Sequence, residues 1–374
     1  MTGPAEDPMG RALELAALGL GRTAPNPPVG AVVVRAGQVV GEGYHTAAGE
    51  AHAETMALAA AGSLARGATL YVTLEPCCHR GRTPPCTDAI AAAGVAEVRY
   101  ATGDPDPRVA GGGHRALVEA GIRVEAGASE AEARELLRGY LLRRRLGRPW
   151  VTAKYAMGLD GKIATRSGDA RWISGEASRA HAHRLRDRAD AVIVGIGTVL
   201  ADDPRLTVRP VPPDGRQPHR IVVDTRLRIP LDAALLGPEL AAGTTVAFVA
   251  PAAGAATLEE RGLGLLALPA DASGRVDLRA LLEALGRRGD NEVLVEGGGE
   301  LLAGLLAFGL VDEVQACLAP IVIGGRTAGT PVGGIGVERI DQAGRFEIVD
   351  LARRDQDVWI VARPAGPPME VTNV

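Results

Sequence analysis

Along most of the chain, short apolar runs alternate with segments whose apolar residues fall three or four positions apart, and glycines bound the changes between them. The first pattern reads as strand and the second as helix, so their alternation predicts an α/β architecture rather than separate blocks of each. An opening helix is expected at about 9–20, where Leu13, Ala16, Ala17 and Leu20 share one face. A strand pair follows at 31–34 and 39–43, joined by the turn R-A-G-Q. After it come a helix at about 52–61, a strand at 69–74, a helix at about 86–93, a strand at 98–101 and two helices at about 112–120 and 129–145.

The segment R-R-R-L-G-R-P at 143–149 closes that last helix, with Gly147 at its end and Pro149 just beyond. A domain boundary is expected there, giving residues 1–148 and 149–374. New strands begin at once, at 151–157, 191–195, 220–224, 245–249, 293–296, 314–320 and 358–361, with helices at about 176–188, 278–288 and 300–308. No internal repeat relates the halves, so two unrelated domains are expected, within the prior of roughly 100–200 residues per domain.

Hydrophobic residues at 46% and charged residues at 23% exclude collagen-like and wholly disordered classes. A formal charge of −4 with 3% aromatics provides neither the basic field nor the stacking platform of a nucleic-acid binder. A small-molecule partner is expected instead. The opening M-T-G-P-A-E-D has no basic or apolar leader character, and the long uncharged run 240–258 is broken by glycine and proline. No membrane association and a cytoplasmic location are therefore expected. Three of the four cysteines, Cys77, Cys78 and Cys86, fall within ten residues, which in a reducing compartment points to metal or catalysis. Lysine occurs only at 154 and 162, whereas arginine is used everywhere else.

The metal reading can be made specific. His52-Ala-Glu54 begins one expected helix, Pro76-Cys77 follows a strand, and Cys86 begins another helix. A Zn²⁺ ion held by one imidazole and two thiolates keeps a fourth position for water, whose pKa falls towards about 7. Glu54, two residues beyond His52, can face that water as general acid/base. Zinc deaminases carry H-x-E followed by P-C-x-x-C, and here the second half is stretched to C-x₈-C. Cys78 and His79 compete as ligands, and the Pro-Cys step favours Cys77. A structural zinc module would recruit one of those two as a fourth ligand. A nucleic-acid base deaminase with an appended domain would need a basic domain, yet the acidic excess lies wholly in the second half.

The strings T-A-P-N-P-P-V-G (23–30), G-Y-H (43–45), H-A-E (52–54), T-L-E-P-C-C-H-R-G-R-T-P-P-C (73–86) and D-P-D-P-R-V-A-G-G-G (104–113) resemble the deaminase half of the bifunctional riboflavin-biosynthesis deaminase/reductase family. The resemblance implies a cytidine-deaminase-like three-layer domain. It also implies removal of an amino group from a diaminopyrimidinone carrying a ribosylamino 5-phosphate. Asn26, His45 and Asp104 match family positions lining the substrate pocket, although turn chemistry alone could explain Asn26 and Asp104. Cys78 stands where the family often has Ser, and Asp106 where it has Asn. Independently of the family, His79, Arg80 and Arg82 lie in the insert between two ligands, where arginine forks can reach a phosphate.

In the second half, A-K-Y-A-M-G-L-D-G-K-I-A, R-W-I-S-G-E-A-S-R, G-I-G-T-V-L-A-D-D-P-R-L-T-V-R and V-E-G-G-G-E-L resemble the reductase half of the same family. That implies a dihydrofolate-reductase-like fold and NADPH. By position, Ala156, Trp172, Thr198, Asp202, Gly297, Gly298 and Gly299 match cofactor-binding places, and Arg186, Leu206, Arg209 and Glu296 match places near the substrate. Ala170 departs from a Ser often found there. The strand-glycine-helix pattern at 293–302 also offers main-chain N–H groups to a cofactor phosphate on physical grounds alone. Lys154 is expected to have a catalytic or substrate-orienting role, because a site shaped for a compact ammonium rejects a guanidinium fork. The expected partner is a phosphorylated pyrimidine, and the expected assembly a homo-oligomer.

Overall fold

The computed structural model describes residues 7–80 and 84–366. The chain divides into two compact units, one of residues 1–148 with 288–291 and one of residues 149–287 with 292–374.

The first unit runs α1 (Pro8–Ala17), β1 (Gly30–Arg35), β2 (Gln38–Tyr44), α2 (Ala53–Ala61), β3 (Thr69–Leu74), α3 (Cys86–Ala93), β4 (Glu97–Thr102), α4 (Gly112–Glu119), β5 (Arg123–Ala126), α5 (Glu130–Leu136) and α6 (Arg138–Leu146). Its sheet has the order β2-β1-β3-β4-β5, with β1 antiparallel to both neighbours and β3, β4 and β5 parallel. Alternation along β1 sends Ala31 and Val33 into a core shared with α2, α3 and α4, and Val32 into one shared with α1 and α5. The result is three layers, helices on both faces of one sheet. The helix expected over 129–145 is two helices, because the chain turns at Leu137, which is buried against Leu74 and Tyr140.

Helix α2 lies against the β1–β2 hairpin with almost no side chain between the backbones. A Cβ at Gly41 would stand 2.2 Å from the Ala57 carbonyl oxygen, and one at Gly43 would stand 2.6 Å from the Ala57 nitrogen. The helix answers with alanines at 53, 57 and 61, its inward face.

The second unit runs β6 (Trp150–Met157), α7 (Glu176–Arg188), β7 (Ala191–Gly195), α8 (Ile196–Asp202), β8 (His219–Val223), β9 (Thr244–Val249), α9 (Ala255–Glu260), β10 (Gly264–Leu268), α10 (Leu278–Arg288), β11 (Glu292–Glu296), α11 (Gly299–Ala307), β12 (Glu313–Leu318), β13 (Phe346–Arg354) and β14 (Asp357–Pro364). The nine strands form one sheet in the order β10-β9-β8-β7-β11-β6-β12-β14-β13. All pairings are parallel except those of β14 with β12 and β13. The central strands are continuous apolar runs because both faces are covered, by Leu282, Leu285 and Leu302 of α10 and α11 on one side and by Val199, Leu235 and Leu258 on the other. No helix among the described residues is long and apolar enough to cross a membrane.

The backbone approach at Gly41 gives a stability prediction. Gly41→Ala forces a methyl group against the α2 backbone, and overpacking of this kind typically costs about 1–3 kcal/mol. Gly197→Ala, where a Cβ meets nothing within 4 Å, should leave stability unchanged or slightly raised. Denaturant titration of the two variants beside the parent checks both.

Candidate active sites

In the first unit, His52 is the N-cap of α2, Cys86 is the first residue of α3, and Cys77 follows β3. The strand and the two helix starts converge. His52 Nδ1 lies 3.2 Å from Cys86 Sγ and 3.6 Å from Cys77 Sγ, and the Cys86 backbone N–H donates to Cys77 Sγ at 3.3 Å. The three donor atoms lie within 4.8 Å of one another. Ligands held at about 2.0–2.3 Å from one tetrahedral ion stand roughly this far apart, so the donor set fits Zn²⁺ in both chemistry and spacing. Hydrogen bonding from Cys86, and then from His52, holds the Cys77 thiol well below the ordinary thiol range, against the opposing effect of burial. Glu54, in the first turn of α2, is buried, which pushes its carboxyl above the usual range.

A cavity of about 510 Å³ opens over this cluster. Asn26, His45, His79 and Asp104 all line it. His45 Nδ1 faces the Ala51 carbonyl at 3.1 Å and must donate to it, leaving Nε2 to accept from the Asn26 amide at 2.9 Å. Burial favours that neutral ring by lowering its pKa. Asp104 accepts from the Tyr140 hydroxyl at 2.9 Å and from the Asp106 N–H at 2.8 Å, while burial raises its carboxyl. Arg80 is exposed and lies outside the cavity wall, and Arg82 falls outside the described residues.

Asp106 does not present a bare charge to the cavity. Arg108 pairs with it at 2.6 Å and Arg144 at 2.8 Å, and hydrogen bonding from Arg108 above all holds its carboxyl at about 2. Tyr140 and Arg144, which the sequence reading passed over as part of a helix running into a linker, both line the cavity. Their i, i+4 spacing on α6 was the available signal, since it places both on one helix face.

In the second unit the ladder sets Lys154 on β6 beside Glu296 on β11 as register partners. Lys154 Nζ stands 3.8 Å from Glu296 Oε2. Arg186, on α7, grips the same carboxylate with two donors, Nε to Oε1 and Nη2 to Oε2, the latter at 2.9 Å. Its Nη1 donates to the Thr207 carbonyl at 2.9 Å. Burial opposes ionisation of Glu296, but Arg186 and then Lys154 hold its carboxyl at about 2. Lys162, by contrast, donates to the Ala328 carbonyl at 3.2 Å.

Gly297 and Gly298 both have positive φ and lie next to the Thr198 hydroxyl, so the start of α11 is a bare cradle beside α8. Such a cradle fits a cofactor phosphate. Asp202 ends α8 and receives a hydrogen bond from Arg171 at its carbonyl. Trp172 is 68% exposed, with the Arg179 guanidinium 4.8 Å from its ring centroid. Ala156 is half-buried on β6. Leu206 is buried in the core beside α8, and exposed Arg209 donates its backbone N–H to His183 Nδ1 at 3.2 Å. His183 is a neighbour of this site that the sequence reading did not single out.

Two profiles of known families match the chain: the RibD C-terminal domain over residues 149–360 and the cytidine and deoxycytidylate deaminase zinc-binding region over residues 4–102. The chain is 42% identical over 356 residues to the riboflavin biosynthesis protein RibD of Actinobacillus pleuropneumoniae, covering 95% of this chain and 94% of that one. Among solved structures, RibD of Acinetobacter baumannii superposes with a TM-score of 0.87 at 39% identity, over 96% of this chain and 98% of that one. The diaminohydroxyphosphoribosylaminopyrimidine deaminase/5-amino-6-(5-phosphoribosylamino)uracil reductase of Thermotoga maritima does so with a TM-score of 0.85 at 35% identity, over the same shares of each chain.

Both clusters make predictions. Cys77→Ser and Cys86→Ser should each lose zinc, whereas Cys78→Ser, whose sulfur lies 3.5 Å from the Arg108 carbonyl, should keep it. Metal analysis of the three purified variants decides, and equal zinc loss in all three would overturn the ligand set. For Glu296, a folded-state value of about 2 against an ordinary 4.5 means that its contribution to stability is complete above about pH 4.5. That contribution is lost as pH falls through about 2. Glu296→Gln leaves two half-buried cations without their carboxylate, a loss of up to about 3 kcal/mol. Denaturant titrations of the parent and this variant between neutral and acid pH should converge as the pH falls.

Proposed function

The chain belongs to the RibD family of riboflavin-biosynthesis proteins, and from that membership we propose how its two units divide the chemistry. It is a bifunctional enzyme, a zinc-dependent deaminase joined to an NADPH-dependent reductase, with a cytidine-deaminase-like first unit and a dihydrofolate-reductase-like second. Residues 1–148 hydrolyse the amino group from 2,5-diamino-6-(5-phosphoribosylamino)pyrimidin-4-one, and residues 149–374 reduce the ribosyl side chain of the product to ribityl. The observation that carries this reading is the convergence of His52, Cys77 and Cys86 beside buried Glu54 at the floor of a cavity.

His52, Cys77 and Cys86 hold the zinc, which when bound supplies the Lewis acidity that makes water a nucleophile near neutral pH. Glu54 takes a proton from the attacking water and delivers one to the departing nitrogen, which leaves as ammonia. Asn26 and His45 act as one hydrogen-bonded unit that orients the pyrimidine, and Asp104 fixes the loop opposite them. His79, which lines the cavity, takes the substrate phosphate, and Arg80, outside the cavity wall, and Arg82 of the same insert are its further partners. A nucleic-acid substrate is disfavoured by the absence of a basic field.

In the second unit NADPH supplies the reducing equivalent, and the protein orients the two reactants. Ala156, Trp172, Thr198, Asp202 and Gly297 to Gly299 hold the cofactor, while Arg186, Leu206, Arg209 and Glu296 face the substrate. Lys154 keeps a compact positive charge at that carboxylate and orients the ribosyl group. The enzyme works in the cytoplasm as a homo-oligomer, with a phosphorylated pyrimidine as its small-molecule partner.

Supplying the diaminopyrimidinone phosphate with and without NADPH, and weighing the products, tests both halves. Exchange of the amino group for oxygen is expected without NADPH, and a further gain of two hydrogens only with it. Glu54→Gln should retain zinc yet lose about 10²–10⁴-fold in deamination with reduction intact. Zinc loss in that variant would make Glu54 a ligand instead. Lys154→Arg should slow reduction alone, since it keeps the charge but changes the donor's shape. Unaltered reduction would remove Lys154 from the site.

A further inference from the structure

The first unit is completed by four residues from far along the chain. Residues 288–291, at the turn between α10 and β11, belong with residues 1–148. What they touch is the loop that carries Asn26. Asn291, 7% exposed, donates from Nδ2 to the Asn26 carbonyl at 3.0 Å, across 265 positions of sequence. Its Oδ1 accepts from Arg143 Nε at 2.8 Å, and the same guanidinium donates through Nη2 to the Pro25 carbonyl at 2.5 Å. Gly289 has a φ of +108°, and a Cβ there would stand 2.7 Å from Pro25 Cβ, so the turn lies directly on the loop.

The neighbours of the Asn291 amide fix its orientation. A guanidinium only donates and a carbonyl only accepts, so the amide oxygen must face Arg143 and the amide nitrogen Asn26. Two consecutive carbonyls of the loop are thereby held. Within the loop, the Thr23 hydroxyl donates to the Asn26 carbonyl at 3.1 Å, and the Asn26 N–H donates to the Thr23 carbonyl at 2.8 Å. From this clamped main chain the Asn26 side chain reaches His45 Nε2 at 2.9 Å in the cavity wall. A group that orients a substrate needs such a fixed base, because a displacement of about 1 Å can cost about 10²-fold in rate.

We infer that Asn291 is a positioning residue of the deaminase site: its amide clamps the Asn26 main chain and so aims the Asn26 side chain at the pyrimidine. The inference rests on the reading of Asn26 and His45 given above and adds to it a residue from outside 1–148.

Steady-state deamination by the full zinc-loaded chain tests it. Asn291→Ala should raise KM for the diaminopyrimidinone phosphate about five- to tenfold, the size of one hydrogen bond, with kcat within about twofold and zinc content unchanged. Reduction of already deaminated substrate should be unaltered, and equal loss of both activities overturns the assignment. Asn291→Asp keeps an acceptor for Arg143 but sets a carboxylate oxygen against the Asn26 carbonyl, so it should raise KM at least as far. A parent-like KM in Asn291→Asp overturns the clamp, even where Asn291→Ala is impaired by misfolding. A fall in kcat or zinc at constant KM, the mark of a merely structural role, overturns it as well. Asn26→Ala separates the two levels. It should raise KM by itself, and Asn291→Ala added to it should cost nothing further. An unaltered KM in Asn26→Ala overturns the Asn26 reading and the inference together, whereas a further rise in the double variant overturns only the route through Asn26.

Discussion

Helix α2 can deliver its chemistry only because β2 offers no side chains where the helix crosses it. Gly41 and Gly43 are two apart on the strand, and Ala53, Ala57 and Ala61 are four apart on the helix, so the strand's period of two meets the helix's period near four along one seam. With the two backbones this close, the helix start is fixed in height above the sheet. His52 and Glu54 then arrive level with the end of β3 and the start of α3. The ligand cluster is in this sense a consequence of missing side chains. Convergence of two helix N-termini adds partial positive charge where thiolates must sit.

The second unit rests on a different constraint, one buried carboxylate. Parallel register sets Lys154 and Glu296 side by side, and α7 brings Arg186 from 110 positions away in sequence to the same group. A carboxylate buried this deeply is tolerable only while its partners are in place. The strand ladder, the helix and the segment carrying Thr207 are therefore bound to one another through a single side chain. The glycine cradle at the start of α11 directly follows that carboxylate, so whatever shifts Glu296 also shifts the turn.

Legibility followed how directly the local pattern reports the environment. Strands buried on both faces, such as 191–195, stood out as apolar runs, and helix 86–93 announced itself by its pattern and closing glycine. β5 and β13 did not, because edge strands with mostly exposed positions lose the alternation that marks a strand, and β10, a five-residue edge strand, did not either. The metal trio lay within 35 residues and carried a recognisable order. Arg144 was invisible for the opposite reason. Its segment looked like the end of a domain, and only folding returns α6 to the cavity and to Asp106. The departure at Asp106 was legible as a substitution, while the two arginines that answer its charge were not.

The scarcity of lysine has a practical side. Among side chains, only Lys154 and Lys162 carry a primary amine, and one is held beside a buried carboxylate while the other is hydrogen-bonded to a main-chain carbonyl. Reagents that acylate or cross-link side-chain amines therefore meet a surface almost without targets. Immobilisation, fluorescent tagging and amine-bridging mass spectrometry would all report on these two positions instead of on the molecule at large. For this chain, carboxyl- or arginine-directed chemistry is the better handle, and an amine reagent becomes a probe of the accessibility of these two lysines.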